Sequence, residues 1–181
     1  MKTRFLLVAG FALGLGAAGT QAMAQEQAVA GDPVDGTVNI DASVAPKCLF
    51  TGENPVQLSL GELANAVGNL DTSKVNNKSV TLHAWCNSAG SQMHVEATKL
   101  ALTPALVPNP TGFVQQVDYT ASALANAKTA TDDTLVSGPG GDVVVGIFTG
   151  DVPVTLSNAS ATGLLIAGAY QGSVVVTLTP G

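Results

Sequence analysis

Beyond its first 24 residues, this chain repeats apolar residues at every second position in short runs, and no stretch with helical spacing competes. In residues 36–44, Val38, Ile40, Ala42 and Val44 share one parity while Asn39, Asp41 and Ser43 share the other, the pattern of a half-buried strand. This reads as the first strand. The same alternation returns in Val56, Leu58 and Leu60, in Val80, Leu82, Ala84 and Cys86, and in Met93, Val95 and Ala97. Asn87-Ser88-Ala89-Gly90-Ser91 separates the last two runs with turn residues, which predicts a hairpin. Three prolines break the region from Leu100 to Gly112 into a loop or edge. Residues 117–121 form a further strand candidate, and residues 124–142, rich in Ala, Thr, Asp and Gly, read as an exposed loop. Residues 142–148, 152–156 and 170–179 complete seven or eight short strands. That number and spacing predict an all-β chain folded as an antiparallel sandwich.

Residues 1–24 read as a signal peptide. Lys2 and Arg4 precede an apolar stretch from Phe5 to Leu15, and Ala22-Met23-Ala24 supplies a small-x-small cleavage site. The competing reading, a membrane anchor, is opposed by the shortness of the stretch and by Gly10, Gly14, Gly16 and Gly19. The expected location is the periplasm in transit, then the cell surface or the medium, with no stable membrane insertion. Of the 181 residues, 157 remain for residues 25–35, a tail without strong period, and residues 36–181, a single domain.

The part after residue 24 holds five lysines, no arginine and 13 acidic residues, a net charge of −8. A phosphate backbone is repelled by such a chain, which excludes nucleic acid as a partner. Cys48 and Cys86 are the only cysteines, and in an exported protein the simplest use of one pair is a disulfide. A metal or redox pair would need closer spacing and further ligands.

Groups for chemistry are scarce. His83 and His94 lie on the polar parity of their strands, with Glu96 a possible third group only if pairing brings the histidines together. No Gly-x-Ser-x-Gly elbow, Ser-x-x-Lys pair, Walker loop or dinucleotide fingerprint occurs. Asp132, Asp133 and Asp142 lack the spacing of a calcium loop. Trp85 reads as a packed aromatic in preference to a carbohydrate platform. No enzymatic activity, cofactor or metal is expected.

A free N-terminal tail, a Gly36-Thr37-Val38 strand running into Cys48, a second cysteine late in another strand, and the C-terminal run from Ala167 through Tyr170 to Thr179 resemble the subunits of bacterial chaperone-usher pili and the related spore-coat-U-like secreted proteins. The resemblance implies an immunoglobulin-like sandwich that lacks one strand, with the missing strand supplied in trans. It also implies a periplasmic chaperone, an outer-membrane usher and neighbouring subunits as partners. Carried onto this sequence, the donor strand falls in the 25–35 tail, at Ala28, Val29, Ala30, Gly31 and Val34. The acceptor groove is bordered by Val38, Ile40, Tyr170, Val174, Val176 and Leu178. The expected function is a structural subunit of a surface fibre or coat. The alternative is a complete, stand-alone binding module using loops at residues 109–113 or 130–142, with a small periplasmic enzyme as a third reading.

Overall fold

The computed structural model describes residues 35–181. The expected signal peptide and the donor residues Ala28, Val29, Ala30, Gly31 and Val34 lie outside the described residues. The chain divides into two units, residues 1–42 and 43–181. Of the first unit, residues 35–42 are described. They form no regular structure and are exposed throughout.

The regular structure of the second unit is almost entirely antiparallel strand. Its elements are β1 (Cys48–Thr51), a 3₁₀ turn (Thr72–Lys74), β2 (Ser79–Cys86), β3 (Gln92–Ala97), β4 (Leu100–Thr103), β5 (Phe113–Val114), β6 (Gln116–Ala125), β7 (Lys128–Asp133), β8 (Val143–Val144), β9 (Phe148–Ser160), β10 (Leu164–Leu165), β11 (Ala169–Gln171) and β12 (Val174–Thr179). A seven-stranded sheet runs β1-β2-β9-β6-β4-β11, with β7 also on β6, and a three-stranded sheet runs β12-β3-β8. A short parallel pair joins β5 to β10.

Inward residues of both sheets make one core. Met93, Val95, Val117, Ala121, Ala123 and Val152 are fully buried in it. Many of its members are alanine and valine, so burial is spread over many small side chains. Cys48 and Cys86 are bonded and sit directly opposite each other in the β1–β2 ladder.

Four readings of the sequence are corrected. Residues 36–44 form no strand: Val38, Ile40 and Val44 are 82%, 88% and 85% exposed, and pairing begins only at Cys48. Alternation records a capacity for half-burial, while a strand also needs a neighbour for its N–H and C=O groups. Val38 and Ile40, which the resemblance sets at the border of a groove, are thus unpaired and exposed. Second, β2 and β3 are not a hairpin, because β2 pairs with β1 and β9 while β3 pairs with β12 and β8. The 87–91 connection crosses from one sheet to the other. Third, residues 124–142 contain β7, turned off β6 through Asn126 and Ala127, both at positive φ, as a tight hairpin demands. Fourth, the run 170–179 is divided: β11 belongs to the large sheet and β12 to the small one. Gly172 lies at the division, where a Cβ would stand 2.9 Å from the Lys99 carbonyl oxygen.

Candidate functional site

The edge of the small sheet positions the candidate site. Among the described residues, β12 pairs with β3 alone, so the other side of its backbone carries no ladder. Val174, Val176 and Leu178 turn inward and are half-buried, whereas Val175, Thr177 and Thr179 are exposed. Across from this edge runs the segment 56–60. Val56, Leu58 and Leu60 are half-buried and Gln57 and Ser59 exposed, yet these residues belong to no strand. A strand-like segment without a ladder thus faces a strand with one free edge.

A groove of about 430 Å³ lies between them. Its lining includes Val56, Leu58, Leu60, Val174 and Val176, with Val80 and Leu82 of β2, Val154 and Leu156 of β9, and Phe50. A second opening of about 830 Å³ continues it, sharing Gln57, Leu58, Leu60, Leu100 and Gly172 and adding Tyr170 and residues 165–169. Among the described residues no charged side chain lines the first part, and Glu62 is the only one in the second. The first part of this slot is mainly apolar and the second mixes polar and apolar surface, and the two unladdered backbones beside it suit an extended chain.

Polar contacts at the base fix the start of β12. Tyr119, 2% exposed, donates its hydroxyl to the Thr98 carbonyl at 2.7 Å. Thr98 and Ser173 bond through backbone and side chain, with Thr98 N–H on the Ser173 carbonyl at 2.9 Å and Ser173 N–H on Thr98 Oγ1 at 2.8 Å. Asp132, also buried, accepts the Ala97 N–H at 2.7 Å. Burial, with the Asp132 carboxylate second, pushes the Tyr119 phenol up to about 12. Because the folded-state value exceeds the ordinary value near 10, this group stabilises the fold fully below pH 10 and loses its contribution as pH rises towards 12. Urea midpoints should therefore fall across that interval, and Tyr119→Phe should flatten the fall. An equally steep fall in the variant would contradict the assignment.

The structure places Tyr170, Val174 and Val176 in the slot, and Leu178 packed on the core beyond its lining. The wall at 56–60 and the floor from β2 and β9 escaped sequence reasoning. The alternation of Val56, Leu58 and Leu60 is visible in the sequence, but the groove beside it is not. No family model and no curated protein matches the chain.

The other candidates are dispersed. His83 pairs with Asp151 at 2.6 Å on the outer face of the large sheet. His94 pairs with Asp142 at 3.0 Å on the small sheet. Among the described residues no three His, Cys, Asp or Glu side chains gather as a metal site. Trp85 is half-buried on an outer sheet face, opposite Leu49 and Thr149.

Proposed function

We propose that this chain is the structural subunit of a bacterial surface fibre or coat, an immunoglobulin-like sandwich short of one strand and completed by strand addition from another copy. The observation that carries this reading is the coexistence of a strand-sized apolar slot between β12 and residues 56–60 with an exposed alternating segment at residues 37–44. Val38, Ile40, Ala42 and Val44 share one parity, which makes this segment a better donor than the 25–35 tail, where Asp32, Gly31 and Pro33 interrupt any apolar register. The donor lies antiparallel to β12, the better-paired arrangement. Backbone hydrogen bonds supply general affinity and the alternate side chains supply register. Each larger apolar side chain fully buried contributes about 1.5–3 kcal/mol, so Val38, Ile40 and Val44 together make a durable joint.

On this reading, residues 1–24 direct export, a periplasmic chaperone occupies the slot in transit, and an outer-membrane usher hands the subunit to its neighbour. The test uses the mature chain. Unheated samples should run as a ladder on a denaturing gel, and an excess of a synthetic peptide of residues 36–45 should shorten it, while a scrambled peptide should not. A single sharply melting monomer that ignores the peptide would overturn the proposal.

A further inference from the structure

Five of the twelve large apolar side chains left exposed on residues 43–181, Leu106, Val107, Phe113, Val144 and Ile147, fall at two ends of the domain. One end is where the chain enters. There the Asn87 N–H donates to the Lys47 carbonyl at 3.0 Å and the Asn87 side-chain amide to the Ala45 carbonyl at 3.1 Å. Ser88 donates to the carbonyl of Gly181, and Val145 N–H donates to the Ser91 carbonyl at 2.9 Å. Val144 and Ile147 stand exposed at this end, the latter at 64%. Asn126, just past the end of β6, also reaches it, through a 2.7 Å bond to the Val145 carbonyl.

The loop 104–112 is at the other end of β6, since β4 pairs Leu100 with Val117 and then leads into it. Leu106, Val107 and Phe113 are exposed there, Val107 at 94%. This loop is built to hold its shape. The Gln115 side chain accepts the Leu106 N–H, donates to the Leu106 carbonyl at 2.8 Å and donates to Asn109 Oδ1 at 2.9 Å. Asn109 in turn donates to the Phe113 carbonyl at 3.0 Å. Pro104, Pro108 and Pro110 restrict the rest. An apolar tip fixed in solvent loses little conformational freedom on binding.

Charge sharpens the pattern. Residues 100–117 and 143–150 contain no charged side chain, in a chain whose part after residue 24 carries −8. Two copies meeting through these segments avoid the repulsion that other faces would impose. The direction of strand addition brings the segments together. β12 ends at the entry end, beside Gly181, so a donor antiparallel to it finishes at the opposite end. The domain that follows such a donor presents its own entry end to the acceptor's 104–113 loop.

We propose that the 104–113 loop of one copy packs against the Val144 and Ile147 end of the next copy, a second contact beside the strand joint. The inference rests on the strand-addition reading and adds what orients successive subunits. The two surfaces differ, so the contact is heterologous, and it propagates as an open fibre where the rotation between copies does not close a ring.

Val107→Asp and Ile147→Asp test it, since both side chains are exposed and neither supports the core. Capture of the 36–45 peptide is measured in full mature chains that also carry Ile40→Asp, which charges the tail so that copies do not donate to each other. Assembled length is measured by electron microscopy with the tail intact. The expected result is peptide capture within about twofold of the parent, and fibres at least tenfold shorter for both variants, with Leu49→Asp on the outer sheet face as a control of parental length. Capture with parental fibre length in Val107→Asp and Ile147→Asp overturns the end contact alone, as does equal shortening by Leu49→Asp. If the parent chain captures no peptide, the strand-addition reading falls and takes the contact with it.

Discussion

A chain carrying Ile40→Asp is expected to fold and melt as the parent does and yet fail to assemble. Ile40 is 88% exposed, so the folded domain loses no buried contact when the side chain changes. In the donor strand the same residue would enter an apolar slot lined by Val56, Leu58, Val174 and Val176. The substitution removes about 1.5–3 kcal/mol of burial and adds the cost of placing a carboxylate where no partner charge exists. Together these weaken the joint by at least about a hundredfold. Because the variant keeps its own slot, it should still receive a parental tail and end the fibre at that point. Mixed with parental chains, it therefore shortens fibres in proportion to its fraction. Val176→Asp reverses the roles, damaging the slot and sparing the tail. Melting curves together with sedimentation of mixtures separate the cases, and parental assembly by Ile40→Asp would remove residues 37–44 from the donor role.

That prediction depends on a distinction that periodicity does not make. The alternation of Val80, Leu82, Ala84 and Cys86 and that of Val38, Ile40, Ala42 and Val44 are equally clean, yet the first is β2 and the second is unpaired and exposed. What differs is the neighbour. β2 has β1 on one side and β9 on the other, and such pairings join residues far apart in sequence. The same limit explains the 87–91 connection, whose turn chemistry was legible while its crossing between sheets was not.

Composition hid β7 for another reason. Its inward residues are Ala130 and Asp132, and Asp132 is buried because the Ala97 N–H meets its carboxylate. Neither residue marks a strand on a propensity scale. Of β9 the sequence marks only residues 152–156 as a strand, with Gly150 and Asp151 interrupting the apolar residues before them, but the ladder with β2 runs through both, pairing Gly150 with Ala84 and Asp151 with His83. The disulfide was legible because a single pair of cysteines without further ligands nearby in sequence has few other uses. Tyr170, Val174 and Val176, which the resemblance singles out, line the groove and its continuation. The opposite wall at 56–60 reads from sequence only as a strand, and the groove beside it appears only in the structure.

Removing the disulfide should affect both stability and the slot. Cys48 and Cys86 close a loop with a sequence separation of 38, worth roughly 4 kcal/mol on the chain-entropy estimate. Domains of this size have about 5–15 kcal/mol in all, so Cys86→Ser should lose much of the margin. Cys86 is 2% exposed, and a serine there adds a buried hydroxyl to the cost. The position of the bond gives a second consequence. β1 has only four residues and, among the described residues, β2 as its one ladder neighbour, and four exposed residues, 52–55, lead from β1 to the 56–60 wall. Without the cross-link, fraying of β1 loosens that wall, so capture of the 36–45 peptide should weaken even under conditions where most of the protein remains folded. The paired variant Cys48→Ala with Cys86→Ala separates loss of the bond from the buried serine. A reduced parent chain with an unchanged urea midpoint and unchanged capture would show that the β1 ladder holds the wall without the bond. A lowered midpoint with unchanged capture would confine the bond's role to stability.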